Sequence, residues 1–126
     1  MNNRMFNSGN PYQGDFKKVL CVCSAGLLRS PTAAMVLSQP PYNFNTRAVG
    51  VDVGHALTPI DEVMVNWADE IVCMEKTHMM SILGMFPDYN DPITVLDIPD
   101  RYAYRDPGLI VMIEERYEES LDDNGE

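Results

Sequence analysis

The chain has 126 residues, 45% of them hydrophobic, which is enough for one domain with a real core and too few for two. A formal charge of −10, much of it in the closing run EERYEESLDDNGE, argues against a nucleic-acid partner, because a phosphate backbone would be repelled. No window approaches the about 18 consecutive apolar residues of a membrane span, and the opening MNNRMFNSGNPYQG has no apolar core for a signal peptide. The expectation is therefore a cytoplasmic protein with no membrane partner, a monomer or weak dimer.

Three cysteines, Cys21, Cys23 and Cys73, make no disulfide framework, and the first two are too close for bridging within a strand-like run. They read as thiols. Without paired C-x-x-C ligands, and with His55 and His78 far apart, no metal and no cofactor is expected.

Residues 1–15 are rich in Asn, Gly, Pro and Gln and read as a mobile extension, followed by an α/β domain over 16–119 and an acidic tail over 120–126. The apolar run KVLCV (Lys18–Val22) fits a buried parallel strand that delivers Cys23 to its end. Ser30 is expected to cap a helix whose first residue is Pro31 and which stops before Pro40. NTRAVGVD (Asn45–Asp52) reads as a second strand.

In LTPIDEVMVNWAD the expected helix has Thr58 as cap, Pro59 as first residue and Asp61 completing a capping-box-like start, with Ile60, Met64 and Trp67 facing inward. EIVCM (Glu70–Met74) is a third strand, KTHMMSILGMF a short helix ending near Gly84, and PITVLDI a fourth strand. In DPGLIVMIEERYEES, Asp106 caps and Pro107 opens a last helix, with Leu109, Ile110, Met112 and Ile113 as its apolar stripe and a solvated acidic end. Strands alternating with helices imply right-handed βαβ units: a single-domain α/β fold with a four-stranded parallel sheet covered by helices on both faces.

The stretch CSAGLLRS sets Cys23 six positions ahead of Arg29 on a loop between a strand end and a helix start. In such sheets ligands sit beyond the carboxyl ends of the strands. The amides of Ser24, Ala25, Gly26, Leu27 and Leu28 can converge there on an anion, assisted by the helix dipole and by the two-pronged fork of Arg29. The same field favours the thiolate form of Cys23. Ser30 is placed to donate a hydrogen bond to that thiolate, Gly26 allows a positive φ, and Leu27 and Leu28 are packing or rim contacts.

This loop resembles that of the low-molecular-weight protein tyrosine phosphatases, C-x-x-x-x-x-R-S at the end of the first strand. The likeness runs from about Lys17 to Glu119 and is similar to a compact branch in three ordered blocks: VLCVCSAGLLRSPTAAMVLS, LTPIDEVMVNWADEIVCMEKTH and LDIPDRYAYRDPGLI. The resemblance implies that Cys23 is the nucleophile, that Arg29 binds the phosphoryl group and stabilises the transition state, and that Ser30 steadies the thiolate. Gly26 stands where such proteins usually carry an Asn whose side chain braces the loop.

A thiolate attacking phosphorus needs a proton delivered to the leaving oxygen, and Asp97, Asp100 and Asp106 all follow the fourth strand. Asp106 already has a role as a helix cap. Asp100 matches the acid of the resembled family, although Arg101 replaces the proline usual after it, and Asp106 is the alternative. Tyr102 and Tyr104 are candidates for an aromatic wall against a phenyl ring. His55, His78 and Glu75 are assigned no chemistry, and the nine methionines read as core filling.

The expected activity is a cysteine-dependent phosphomonoesterase acting on a phosphotyrosine-containing protein or a small phosphomonoester. Two alternatives stay open. One is a phosphate-binding module without turnover; the other is an arsenate reductase on the same fold, which needs further mobile cysteines.

Overall fold

The computed structural model describes residues 16–24, 29–52, 54, 56, 58–99, 103 and 105–125. The expected extension over 1–15 lies outside them. Four strands, β1 (Lys18–Cys23), β2 (Asn45–Gly50), β3 (Glu70–Cys73) and β4 (Ile93–Val95), alternate with α1 (Arg29–Leu37), α2 (Glu62–Trp67), α3 (Lys76–Met85) and α4 (Pro107–Gly125). Each strand pairs in parallel, in the order β2-β1-β3-β4. The α/β reading with a four-stranded parallel sheet is the architecture found.

Period-two alternation along β1 divides the core. Val19, Cys21 and Cys23 join α1 and α4 on one face, with Leu37, Leu109, Ile113 and Tyr117. Leu20 and Val22 join α2 and α3 on the other, with Ile60, Met64, Val65 and Ile82. Both faces are apolar because both carry helices, which is why these strands read as continuous hydrophobic runs.

The chain leaves β1 for β2 on one side and then returns to β3 and β4 on the other. The sheet therefore has its switch point between β1 and β3, the position at which open α/β sheets bind ligands beyond the carboxyl ends of their strands.

Two helix starts, those of α1 and α2, differ from expectation, whereas α3 starts at Lys76 as expected. α1 begins at Arg29, so Ser30 is its second residue and not its cap; the Ser30 hydroxyl donates to the carbonyl of Val49 at 3.3 Å. Pro31 is tolerated there because first-turn amides have no helical acceptor in any case. α2 begins at Glu62 with Asp61 as cap, its carboxylate accepting from the Met64 amide at 2.9 Å. Thr58 and Pro59 cannot open that helix because they extend the sheet. The Gly50 amide donates to the Thr58 carbonyl and the Ile60 amide to that of Gly50, each at 3.0 Å. α3 begins after Glu75, and the Glu75 amide donates to His78 Nδ1 at 3.0 Å.

α4 starts as expected, with the Asp106 carboxylate accepting from the Gly108 amide at 2.8 Å and Pro107 as first residue. Its stripe is wider than the four residues named from sequence: Leu109, Ile113 and Tyr117 are fully buried, while Ile110 and Met112 pack at the margin. The helix continues beyond Glu119 to Gly125, and Glu114, Glu115, Glu118 and Glu119 face solvent.

Tyr117 donates to the buried carboxylate of Glu70 at 2.9 Å, which also accepts from Thr94 at 2.6 Å and meets Lys17 Nζ at 2.7 Å. A buried charge at the start of β3 is thereby matched by a cation and two hydroxyls, tying α4 and β4 to the lower edge of the sheet.

Candidate active site

The last residue of β1, Cys23, is 3% exposed. Its Sγ–H donates to Ser30 Oγ at 3.2 Å, and the Ser30 hydroxyl in turn donates to the Val49 carbonyl on β2. Ser30 reaches Cys23 from the first turn of α1, which starts two residues earlier than expected. A serine hydroxyl rotates freely about its C–O bond, so the same oxygen that accepts from a thiol is placed to donate to a thiolate.

The strand ladder continues past the end of β1. The Val51 amide donates to the Cys23 carbonyl at 3.0 Å and the Asp52 amide to the Ser24 carbonyl at 2.9 Å. The first loop residue is therefore held by β-type bonds.

Arg29 is 2% exposed, a rare state for a guanidinium and one that needs partners on the protein. Its Nη1 donates to the Ile98 carbonyl at 2.9 Å and to the Glu75 carboxylate. Ile98 follows β4 and Glu75 follows β3, so the arginine is fixed by the ends of two strands while it is carried by the helix after a third.

Glu75 and His78, assigned no chemistry from sequence, belong to this cluster. His78 is 2% exposed and its Nε2 lies 3.0 Å from Ser24 Oγ. Because Nδ1 accepts the Glu75 amide, the ring proton of the neutral imidazole sits on Nε2 and points at Ser24. Their local sequence does not mark them; the pairing of β3 with β1 brings the start of α3 up to Ser24 and Arg29.

Cys23, Ser24, Arg29 and Ser30 are thus brought together at the carboxyl end of the sheet. Ala25, Gly26, Leu27, Leu28, Asp100, Tyr102, Tyr104 and His55 lie outside the described residues. Asp106 caps α4, and Asp97 is exposed, with φ 61° and its carbonyl accepting from Arg116 Nη1 at 2.8 Å. The other two thiols sit inside the sheet on opposite faces. Burial pushes the Cys73 thiol up to about 12 and raises Cys21 further, with the Glu70 charge adding to the latter. Among the described residues no three His, Cys, Asp or Glu side chains gather to hold a metal, and no helix is long and apolar enough to cross a membrane.

The chain matches no protein-family model and no curated protein sequence. Its structure is similar to that of the tyrosine phosphatase Wzb from Escherichia coli K30, solved in complex with phosphate, at TM-score 0.66 and 19% identity, covering 87% of this chain and 99% of that one. The chain has the low-molecular-weight tyrosine phosphatase fold. Vibrio vulnificus Wzb in complex with benzylphosphonate shares the fold at TM-score 0.68 and 19% identity, over 86% of this chain and 99% of the other. So does the YwlE arginine phosphatase from Geobacillus stearothermophilus, at TM-score 0.62 and 18% identity, over 87% and 98%.

Proposed function

We propose that this protein is a phosphomonoesterase that uses Cys23 as nucleophile, with phosphotyrosine in protein as the substrate class. The observation that carries the reading is the contact of Cys23 Sγ with Ser30 Oγ at 3.2 Å, at the start of a helix whose first residue is the buried, doubly anchored Arg29. A thiolate there would be stabilised by the serine hydroxyl and by the positive end of α1, and an arginine held in place costs little further ordering when a phosphoryl group arrives.

In the first step the Cys23 thiolate attacks phosphorus in line, the P–S bond forms as the P–O ester bond breaks, and Asp100 gives its proton to the departing oxygen. In the second, water attacks phosphorus, Asp100 takes a proton from it, and Cys23 leaves as thiolate with release of inorganic phosphate. Arg29 and the loop amides would hold the equatorial oxygens throughout. The arsenate alternative loses support because Cys21 and Cys73 lie within strands on opposite faces of the sheet and are fully buried.

The test is hydrolysis of para-nitrophenyl phosphate at mildly acidic pH by wild type and Cys23→Ser, followed by phosphotyrosine and phosphoarginine peptides. Turnover lost in Cys23→Ser with phosphotyrosine preferred supports the reading. Preference for phosphoarginine moves the substrate class, and turnover that survives Cys23→Ser overturns the mechanism. An inert wild type that binds phosphate leaves the binding-module alternative.

A further inference from the structure

The loop that would cradle a phosphoryl group is gripped at both of its ends by one short piece of chain. At its end, Arg29 is bonded to Glu75; at its start, Ser24 is bonded to His78. Glu75 and His78 are three residues apart across the junction of β3 and α3 and are joined to each other through the Glu75 amide and His78 Nδ1 at 3.0 Å. The loop itself has glycine at position 26, which supplies no side chain to hold its shape.

We propose that His78 is a positioning residue that sets the shape of the phosphate loop through Ser24, supplying from α3 the bracing that Gly26 cannot supply from within. This rests on the phosphatase reading of the loop and adds a residue that acts on it without touching substrate. An imidazole chosen only to fill a core would be a poor choice against leucine or phenylalanine, because each ring nitrogen buried without a partner is costly. Here each nitrogen has a partner, and both partners lead to the loop: Nε2 directly through Ser24, Nδ1 through the residue that holds Arg29. The Ser24 side chain, its oxygen accepting from His78 Nε2, is held in one rotamer at the point where the chain leaves β1. Loss of the anchor at Ser24 leaves Arg29 as the anchored end, and a displacement of about 1 Å at a binding site is enough to cost on the order of 100-fold in rate.

Three variants of the full-length protein separate the contacts. Ser24→Ala removes the acceptor and leaves the backbone in place. His78→Asn keeps an acceptor near the Glu75 amide but is too short for Ser24, whereas the longer His78→Gln carries an amide donor to the Nε2 position. Each is measured for kcat and KM on para-nitrophenyl phosphate and for thermal midpoint, and each is also measured for binding of inorganic phosphate in a Cys23→Ser background. The expected result is a fall in kcat of about 10- to 100-fold and weaker phosphate binding in Ser24→Ala and in His78→Asn. The double variant should be no worse than either single one, because both break the same contact. His78→Gln should recover most of the loss.

Full kcat and phosphate affinity in Ser24→Ala, or losses that multiply in the double variant, overturn the proposal. So does a loss that follows the thermal midpoint alone and is not recovered by His78→Gln. If turnover proves independent of Cys23, the phosphatase mechanism fails by itself, and phosphate binding in the Cys23→Ser background still decides whether His78 shapes the loop.

Discussion

Arg29 Nη1 donates both to the Ile98 carbonyl, at 2.9 Å, and to the Glu75 carboxylate, so a single nitrogen joins the helix after β1 to the chain after β3 and after β4. Glu75→Gln keeps the size of the side chain and removes its charge, leaving a buried guanidinium with a weaker acceptor. Glu75 is 36% exposed, so water replaces part of the loss, and the expected cost is about 1–3 kcal/mol, below the range for a fully buried pair. Urea unfolding measures it, and a midpoint unchanged from wild type would mean that the contacts left to Arg29, the Ile98 carbonyl among them, suffice.

Cys23→Ser should lower turnover of an aryl phosphate by roughly 10⁴-fold or more while phosphate still binds, because the loop and Arg29 remain. Steady-state kinetics and phosphate titration, taken together, distinguish a lost nucleophile from a collapsed site.

The two candidate acids separate on different readouts. Asp106→Asn retains a good helix cap and should leave stability within a few tenths of a kcal/mol, whereas Asp106→Ala should cost about 1 kcal/mol. If Asp100 is the proton donor, Asp100→Asn slows alkyl esters far more than aryl ones, whose leaving groups need the proton less. The same leaving-group pattern in Asp106→Asn would transfer the role.

Tyr117→Phe deletes one of the two hydroxyls that satisfy the buried Glu70 carboxylate. The expected loss is about 1–3 kcal/mol with no change in KM, since the contact lies at the opposite end of the sheet from Cys23. A change in KM would show that the two ends are coupled.

Burial holds the Cys73 thiol from an ordinary 9.0 up to about 12, and raises Cys21 in the same direction. Thiols whose native values are raised stay protonated when those of the unfolded chain begin to ionise. Their contribution to stability is therefore complete below about pH 9 and declines as pH rises from there toward about 12. Unfolding free energy measured from pH 7 to 11 should fall across the alkaline range, and Cys73→Ala should flatten that fall. At neutral pH, iodoacetamide should label Cys23 in the native protein and all three cysteines only after denaturation.

The strands were legible because each is a continuous apolar run, and Cys23 with Arg29 was legible because their spacing, a strand before and a helix after form one local pattern. Glu75 and His78 have no such pattern. Beside a helix start they read as ordinary polar residues, and only the adjacency of β3 to β1 turns them toward the loop. The same kind of distant pairing misled the reading of Thr58 and Pro59, which by local chemistry open a helix. In the folded chain they are held extended against Gly50. Tyr117 and Glu70, 47 residues apart, were invisible for that reason also.

The anchor of Arg29 on Ile98 spans 69 residues of sequence. During synthesis Cys23 and Arg29 emerge early, as part of a β1–α1–β2 unit that lacks both the Glu75 carboxylate and the Ile98 carbonyl. The carboxylate at Glu75 arrives next, and the carbonyl at Ile98 only once β4 has left the ribosome. A nascent chain shorter than that carries the loop residues without the arrangement that would make them bind an anion. If the loop binds an anion as proposed, that binding reports completion of the sheet, and truncated or stalled chains are expected to be silent toward phosphate even though they contain the whole of CSAGLLRS.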